Sequence, residues 1–171
     1  MRASAWGTAL MAAVVAAGGC RAPDPQAEVA LSDVETYWAV DRPTGGTQYI
    51  APVVRFRLHN KGARPLRSIQ ASATFRIKGE TQTWSGAFQQ VAPLAGKPLE
   101  PGQGTLVVLK PEGEGRYSST VPPEDMLAHQ GFRDVWVEMF VRVGSSGWTK
   151  MGQEDVARRI GARAAVAEEA R

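Results

Sequence analysis

Cysteine occurs once in these 171 residues and histidine only twice. A single thiol excludes an intrachain disulfide, so any core must be stable without staples. His59 stands on the polar face of a strand-like run just before a turn, where a solvated or capping role is its simplest reading. His129 follows Asp125 by four residues, but two candidate ligands with no third nearby do not make a metal site. No Gly-x-Ser-x-Gly elbow, phosphate-binding loop or His-Glu-x-x-His element occurs. The expectation is a protein that is not an enzyme and holds neither cofactor nor metal; a hydrolase would need His59 or His129 within reach of a serine and an acid. Charge of one sign is also lacking. With 20 basic against 17 acidic residues and a net charge of +3, the chain has none of the clustered basic density that nucleic acid requires. The apolar stretch near its start, Ala3 to Ala17, falls short of the roughly 20 apolar residues that span a bilayer.

What that start does contain is Arg2, the uncharged stretch, the small pair Gly18-Gly19 and then Cys20, the three regions of an export signal. Ala17-Gly18-Gly19-Cys20 resembles the lipobox of bacterial lipoproteins, with Ala17 where that family usually has Leu. The resemblance implies acylation of the Cys20 thiol, cleavage of residues 1–19, acylation of the new amino terminus and attachment to a membrane through lipid. An ordinary secretory signal cut at the same place would instead leave a soluble protein with a free thiol. Arg21 follows the cysteine where lipoproteins kept at the inner membrane usually carry Asp, which implies outer-membrane sorting, facing the periplasm, in a cell with two membranes. Cleavage removes only Arg2 among the charged residues and leaves about 150 residues, the size of one domain. Residues 20–28 are polar and contain Pro23 and Pro25; they read as a flexible tether that, at about 3 Å per residue, holds the domain some 25 Å from the membrane.

Beyond the tether, short runs alternate with a period of two between Gly, Pro and Asn clusters, the signature of strands. Val54, Phe56 and Leu58 alternate with Arg55, Arg57 and His59; Ile69, Ala71, Ala73, Phe75 and Ile77 alternate with polar residues; Val135, Val137, Met139, Val141 and Val143 share one side of the clearest strand. Further strands are expected near Glu28–Val40, Gln82–Gln90 and Gly104–Lys110, with a last one from Trp148. Asn60-Lys61-Gly62, Pro101-Gly102 and Gly144-Ser145-Ser146-Gly147 read as turns. Within the long connection 111–130, Pro122 to Leu127 is suited to one helical turn. About seven strands at this spacing predict an all-β, Ig-like two-sheet antiparallel sandwich over residues 29–153. The tail 154–171 is expected to extend the last strand and then to be frayed helix or disorder.

The run Val-Arg-Phe-Arg-Leu-His-Asn-Lys-Gly, followed by Arg-Pro-Leu-Arg-Ser-Ile and later by Lys-Pro-Leu-Glu-Pro-Gly-Gln, resembles Ig-like envelope domains of the FxLYD and water-stress (late embryogenesis abundant) types over roughly residues 50–110. The Phe-x-Leu-Tyr-Asp element itself is missing. The resemblance implies the sandwich and adhesive or assembly roles, and it assigns no catalytic residue.

Two surface features remain. Arg55, Arg57 and His59 form a basic row, extended by Arg67, Arg76 and Lys78, which either solvates a sheet face or attracts anionic groups at a membrane or cell-wall polymer. Trp136 and Phe140 lie on the otherwise polar side of the valine strand, as anchors for a partner or as residues covered by the tail through Val156 and Ile160. Trp38, Trp84 and Trp148 read as core or core-rim residues. Together these point to a lipid-anchored, non-enzymatic binding or assembly module of the bacterial envelope with a protein or glycan partner. The alternative is a small-ligand carrier or sensor with a pocket between the sheets or under the 111–130 loop.

Overall fold

The computed structural model describes residues 23–93 and 95–161. Cys20, the signal 1–19 and tail residues 162–171 lie outside the described residues. In chain order the described elements are α1 (Pro25–Glu28), β1 (Val29–Val40), β2 (Gln48–Asn60), β3 (Ile69–Ile77), β4 (Ser85–Ala92), β5 (Gly104–Leu109), β6 (Tyr117–Ser119), α2 (Pro123–Met126), β7 (Val135–Val143) and β8 (Thr149–Asp155). The strands form two antiparallel sheets, ordered β1-β2-β5 with β6 beside β2, and β4-β3-β7-β8. This is the immunoglobulin-type division of an A-B-E sheet from a C′-C-F-G sheet. The short β6 is an eighth strand inside the long connection, where α2 supplies the expected helical turn.

Alternation dictates the core. The inward residues of β3 and β7 are all buried, while their outward neighbours Thr74, Arg76, Trp136, Glu138, Phe140 and Arg142 are partly exposed. Against them pack Trp38, Phe56, Leu58, Val107 and Leu109 of the first sheet. At about 1.5–3 kcal/mol for each large apolar side chain removed from water, this layer is the main stabilising term in a chain with no disulfide to help.

Two segments depart from expectation. Residues 25–28 are not extended: the Asp24 side chain caps the helical turn by accepting from Gln26 N–H at 3.1 Å, and Pro25 occupies the first turn, where its missing N–H is no loss. Pro25 is buried, and the turn packs beside β7 and β8. The residues free to act as a tether are therefore fewer than residues 20–28. After β8, residues 156–161 form neither helix nor frayed end. They cross to the first sheet and pair in parallel with β1, Trp38 N–H donating to Arg159 C=O at 2.8 Å and Gly161 N–H to Trp38 C=O at 2.9 Å. Thr36 Oγ1 fastens the crossing by donating to Asp155 C=O at 2.8 Å and accepting from Ala157 N–H at 3.0 Å.

Loops at one end are tied together by Asn60, a buried residue at the close of β2. Its side chain donates to Arg64 C=O and Leu99 C=O, both at 2.8 Å, and accepts from Gly62 N–H at 2.9 Å. Leu66 and Leu99 exchange both backbone hydrogen bonds at 2.9 Å. Both donors and the carbonyl oxygen of a buried amide are thus engaged in holding loops, which makes this end stiff.

Candidate binding surface

The outer face of the second sheet is read most easily as cross-strand rows. One row runs Phe88, Ser72, Phe140, Lys150 from β4 to β8, and the next runs Gln90, Gln70, Arg142, with Trp148 just ahead of β8. Small Ser72 stands between the two phenylalanines, and Trp148 meets Phe88 with ring centroids 6.3 Å apart in an edge-to-face arrangement. Phe88 is 60% exposed and Trp148 43% exposed. Trp148 is therefore not a core or core-rim residue; it stands outside the sandwich because it precedes the strand and rests on Arg142, whose guanidinium lies 5.2 Å from the ring centroid. Arg142 donates to Gln70 Oε1, and Gln70 Nε2 to Gln90 Oε1 at 3.0 Å, so a planar polar row runs beside the two rings.

Trp136 and Phe140 are on this face too, but half-buried. Trp136 lies under the Arg76 guanidinium at 5.6 Å, and Arg76 is held 3.5 Å from Glu138, which also receives Lys150 at 2.7 Å. Among the described residues the tail does not cover them. Val156 is buried in the core and Ile160 packs on the same core across the molecule, beside Trp38. Phe140 belongs to the row of Phe88, whereas Trp136 lies two rows further along β7, opposite Arg76 and Asp155.

On the first sheet, Arg55 and Arg57 both point outward and are exposed. Arg55 is paired to Glu35 at 3.1 Å, and Arg159 reaches the same carboxylate at 3.3 Å. The hydrogen bond from Arg55, with support from Arg159, lowers the Glu35 pKa. Arg57 stands opposite exposed Leu106, and among the described residues no carboxylate is within ion-pair distance of it. His59 bonds Ser32 Oγ through Nε2 at 2.9 Å, joining β2 to β1. Nearer the other end of the same face, Tyr37, Ala39 and Val53 form a small buried cluster. Arg159 lies 5.7 Å from the Tyr37 ring centroid and Gly161 is so close that a Cβ there would fall 2.1 Å from Tyr37 Cδ2. Burial raises the Tyr37 pKa.

A pocket of about 250 Å³ opens under the 111–130 connection, lined by Tyr117, Ser119, Met126, His129 and Phe132 among others. His129 Nδ1 accepts from Gly131 N–H at 3.0 Å, a local turn contact. Among the described residues no three His, Cys, Asp or Glu side chains gather as metal ligands.

No protein-family model matches the chain, and no curated protein matches it. Solved structures similar to it include a Northeast Structural Genomics Consortium target, 8% identical over 78% of this chain and 89% of that one with a TM-score of 0.43, and a protein from Archaeoglobus fulgidus, 13% identical over 74% and 94% with a TM-score of 0.41. At these scores they carry no functional argument.

Phe88 and the exposure of Trp148 are what sequence reading misses. Phe88 is the one large apolar residue on the outward side of β4, between Gly86 and Gln90, and that lone departure from alternation is the signal that marks it.

Proposed function

We propose that the protein is a lipid-anchored, non-enzymatic binding or assembly module of the bacterial envelope, and that the Phe88–Trp148 face of the second sheet engages its protein or glycan partner. The anchor rests on the lipobox-like Ala17-Gly18-Gly19-Cys20. One observation carries the binding surface: two large aromatic rings stay in contact with each other while 60% and 43% exposed on a sheet face bordered by a hydrogen-bonded polar row. Aromatic anchors beside planar amide and guanidinium groups suit a partner that offers apolar surface next to polar groups. Outer-membrane sorting and an Ig-like envelope ancestry of the FxLYD or water-stress type belong to the same proposal.

The test is capture from envelope extracts on the full-length acylated protein. Phe88→Ser with Trp148→Ser should weaken retention of the bound component by about tenfold or more, as expected when hot-spot aromatics are removed. Retention equal to that of the unaltered protein overturns the assignment of this face. Intact mass of the membrane-extracted protein should begin at Cys20 with added acyl groups.

The pocket under the 111–130 connection favours a second reading, a small-ligand carrier or sensor. At about 250 Å³ it falls below the roughly 300–1,000 Å³ of sites that enclose a drug-sized ligand. It therefore suits only a small molecule, and the sheet face is the stronger candidate.

A further inference from the structure

The entry of the chain into the sandwich fixes which end faces the anchor. Asp24 caps a packed helical turn, Glu28 C=O accepts from Lys61 and Gly62 N–H, and Pro23 borders Gly144 in the β7–β8 turn. Only Arg21, Ala22 and Pro23 separate Cys20 from Asp24, so even a fully extended chain spans about 14 Å between their Cα atoms. The opposite end lies farther off by the length of β2, whose 13 residues cover about 40 Å.

The end nearest Cys20 presents loops 61–68 and 95–103 beside the α1 turn, and together they contain Lys61, Arg64, Arg67 and Lys97 against Asp24, Glu28 and Glu100. All four basic residues are exposed. Arg64 is taken up by Glu28 at 2.8 Å, whereas Lys61, Arg67 and Lys97 have no carboxylate within ion-pair distance among the described residues. Loops at the opposite end, 41–47, 78–84, 110–134 and 156–161, balance seven basic residues with seven acidic ones. Asn60 and the Leu66–Leu99 pairing hold the basic loops in one rigid set.

We infer that this end of the sandwich docks on an anionic lipid surface through Lys61, Arg67 and Lys97, so that the domain stands upright on the membrane that anchors it. The inference rests on the lipid-anchor reading. With a tether this short the loops stay within one or two screening lengths of the headgroups at physiological salt, about 8 Å each, where cations are attracted to anionic lipid. The Phe88–Trp148 face, on the flank of the sandwich, is then directed along the membrane plane.

The acylated full-length protein, reconstituted in phosphatidylcholine vesicles and in an equimolar mixture with phosphatidylglycerol, tests this. A fluorophore is attached at Ala63→Cys or, at the far end, at Gln82→Cys, with a headgroup-linked quencher in the lipid. Quenching at position 63 should be about twofold or more greater in the anionic vesicles than in phosphatidylcholine, fading toward 1 M salt, with position 82 unaffected. Lys61→Glu, Arg67→Glu and Lys97→Glu together should abolish the gain while the protein still floats with the vesicles. An acylated, vesicle-bound protein with equal quenching at position 63 in both lipids, or with a gain insensitive to both salt and charge reversal, overturns docking and leaves the anchor standing. Absence of acyl mass at Cys20 overturns both.

Discussion

The two sheets begin from the same alternation of apolar and polar residues, yet their outer faces meet different fates. At its β1 edge the first sheet is closed by the chain's own residues 156–161, which bury Trp38 within the core and bring Arg159 and Gly161 against Tyr37. Among the described residues no such segment returns across the second sheet, and Phe88 and Trp148 are left in contact with solvent, as Leu106 and Val108 are at the β5 edge of the first. An apolar residue on the outward side of a strand is thus structural where a later segment covers it and available for binding where none does. Periodicity assigns the side of the sheet; only topology decides the cover.

The strongest way to break the comparison is to spoil the inward face that both sheets share. Val137→Asp places an unpaired carboxylate at a fully buried position of β7 and should cost about 4 kcal/mol or more, enough to unfold a marginally stable domain, whereas Arg55→Asp on the wet face should keep the native circular dichroism. A native-like melt for the Val137 variant would contradict the inward assignment.

Next in size is the fastening of the tail. Thr36→Val keeps the shape but removes the hydroxyl that serves Asp155 C=O and Ala157 N–H, and urea denaturation should show a loss of about 2 kcal/mol. Hydrogen exchange should quicken at Trp38 and Gly161, whose amides form the rungs to the tail. An unchanged midpoint would mean that the tail adds little to the closed face.

The open face is sharpened by two double variants. Trp136→Ser with Phe140→Ser removes half-buried rings, one of them stacked under Arg76, and should lower stability by about 2 kcal/mol. Phe88→Ser with Trp148→Ser removes mainly exposed area and one edge-to-face contact, so its stability should fall by less than about 1 kcal/mol while partner retention drops. The reverse ranking would make Phe88 and Trp148 structural.

The smallest effect is electrostatic. Arg158 in the crossing segment grips Asp134 at 2.7 and 3.1 Å, and this hydrogen bonding lowers the Asp134 pKa from its ordinary 3.8. Because the folded value is the lower one, the pair's contribution is present above pH 4 and is lost as pH falls through the folded value. Asp134→Asn should therefore be slightly less stable than the unaltered protein near neutrality and converge with it below pH 4, by a modest margin since both partners meet solvent.

Much of this architecture is legible in the chain. The bounds of β3 and β7 coincide with the alternating runs 69–77 and 135–143, because each has one wholly apolar side. The helical turn at Pro25 is legible in retrospect from Asp24-Pro25, an N-cap followed by the residue best suited to a first turn, although prolines also favour extended chain. Two things have no local signal. β6 is three residues set among glycines and prolines, and residues 156–161 are fixed by a bridge between Ile160 and Trp38, more than 120 positions earlier. The candidate surface is hard to read for the same reason: whether Trp136, Phe140, Trp148 or Phe88 is covered depends on what crosses each face.

Photo-crosslinking in cells tests the contrast between the faces most directly. Benzoylphenylalanine placed at position 88, on the open face, should give a discrete adduct that disappears with Trp148→Ser, while the same group at position 37, under the tail, should give none. An adduct from position 37 and none from position 88 would contradict the account.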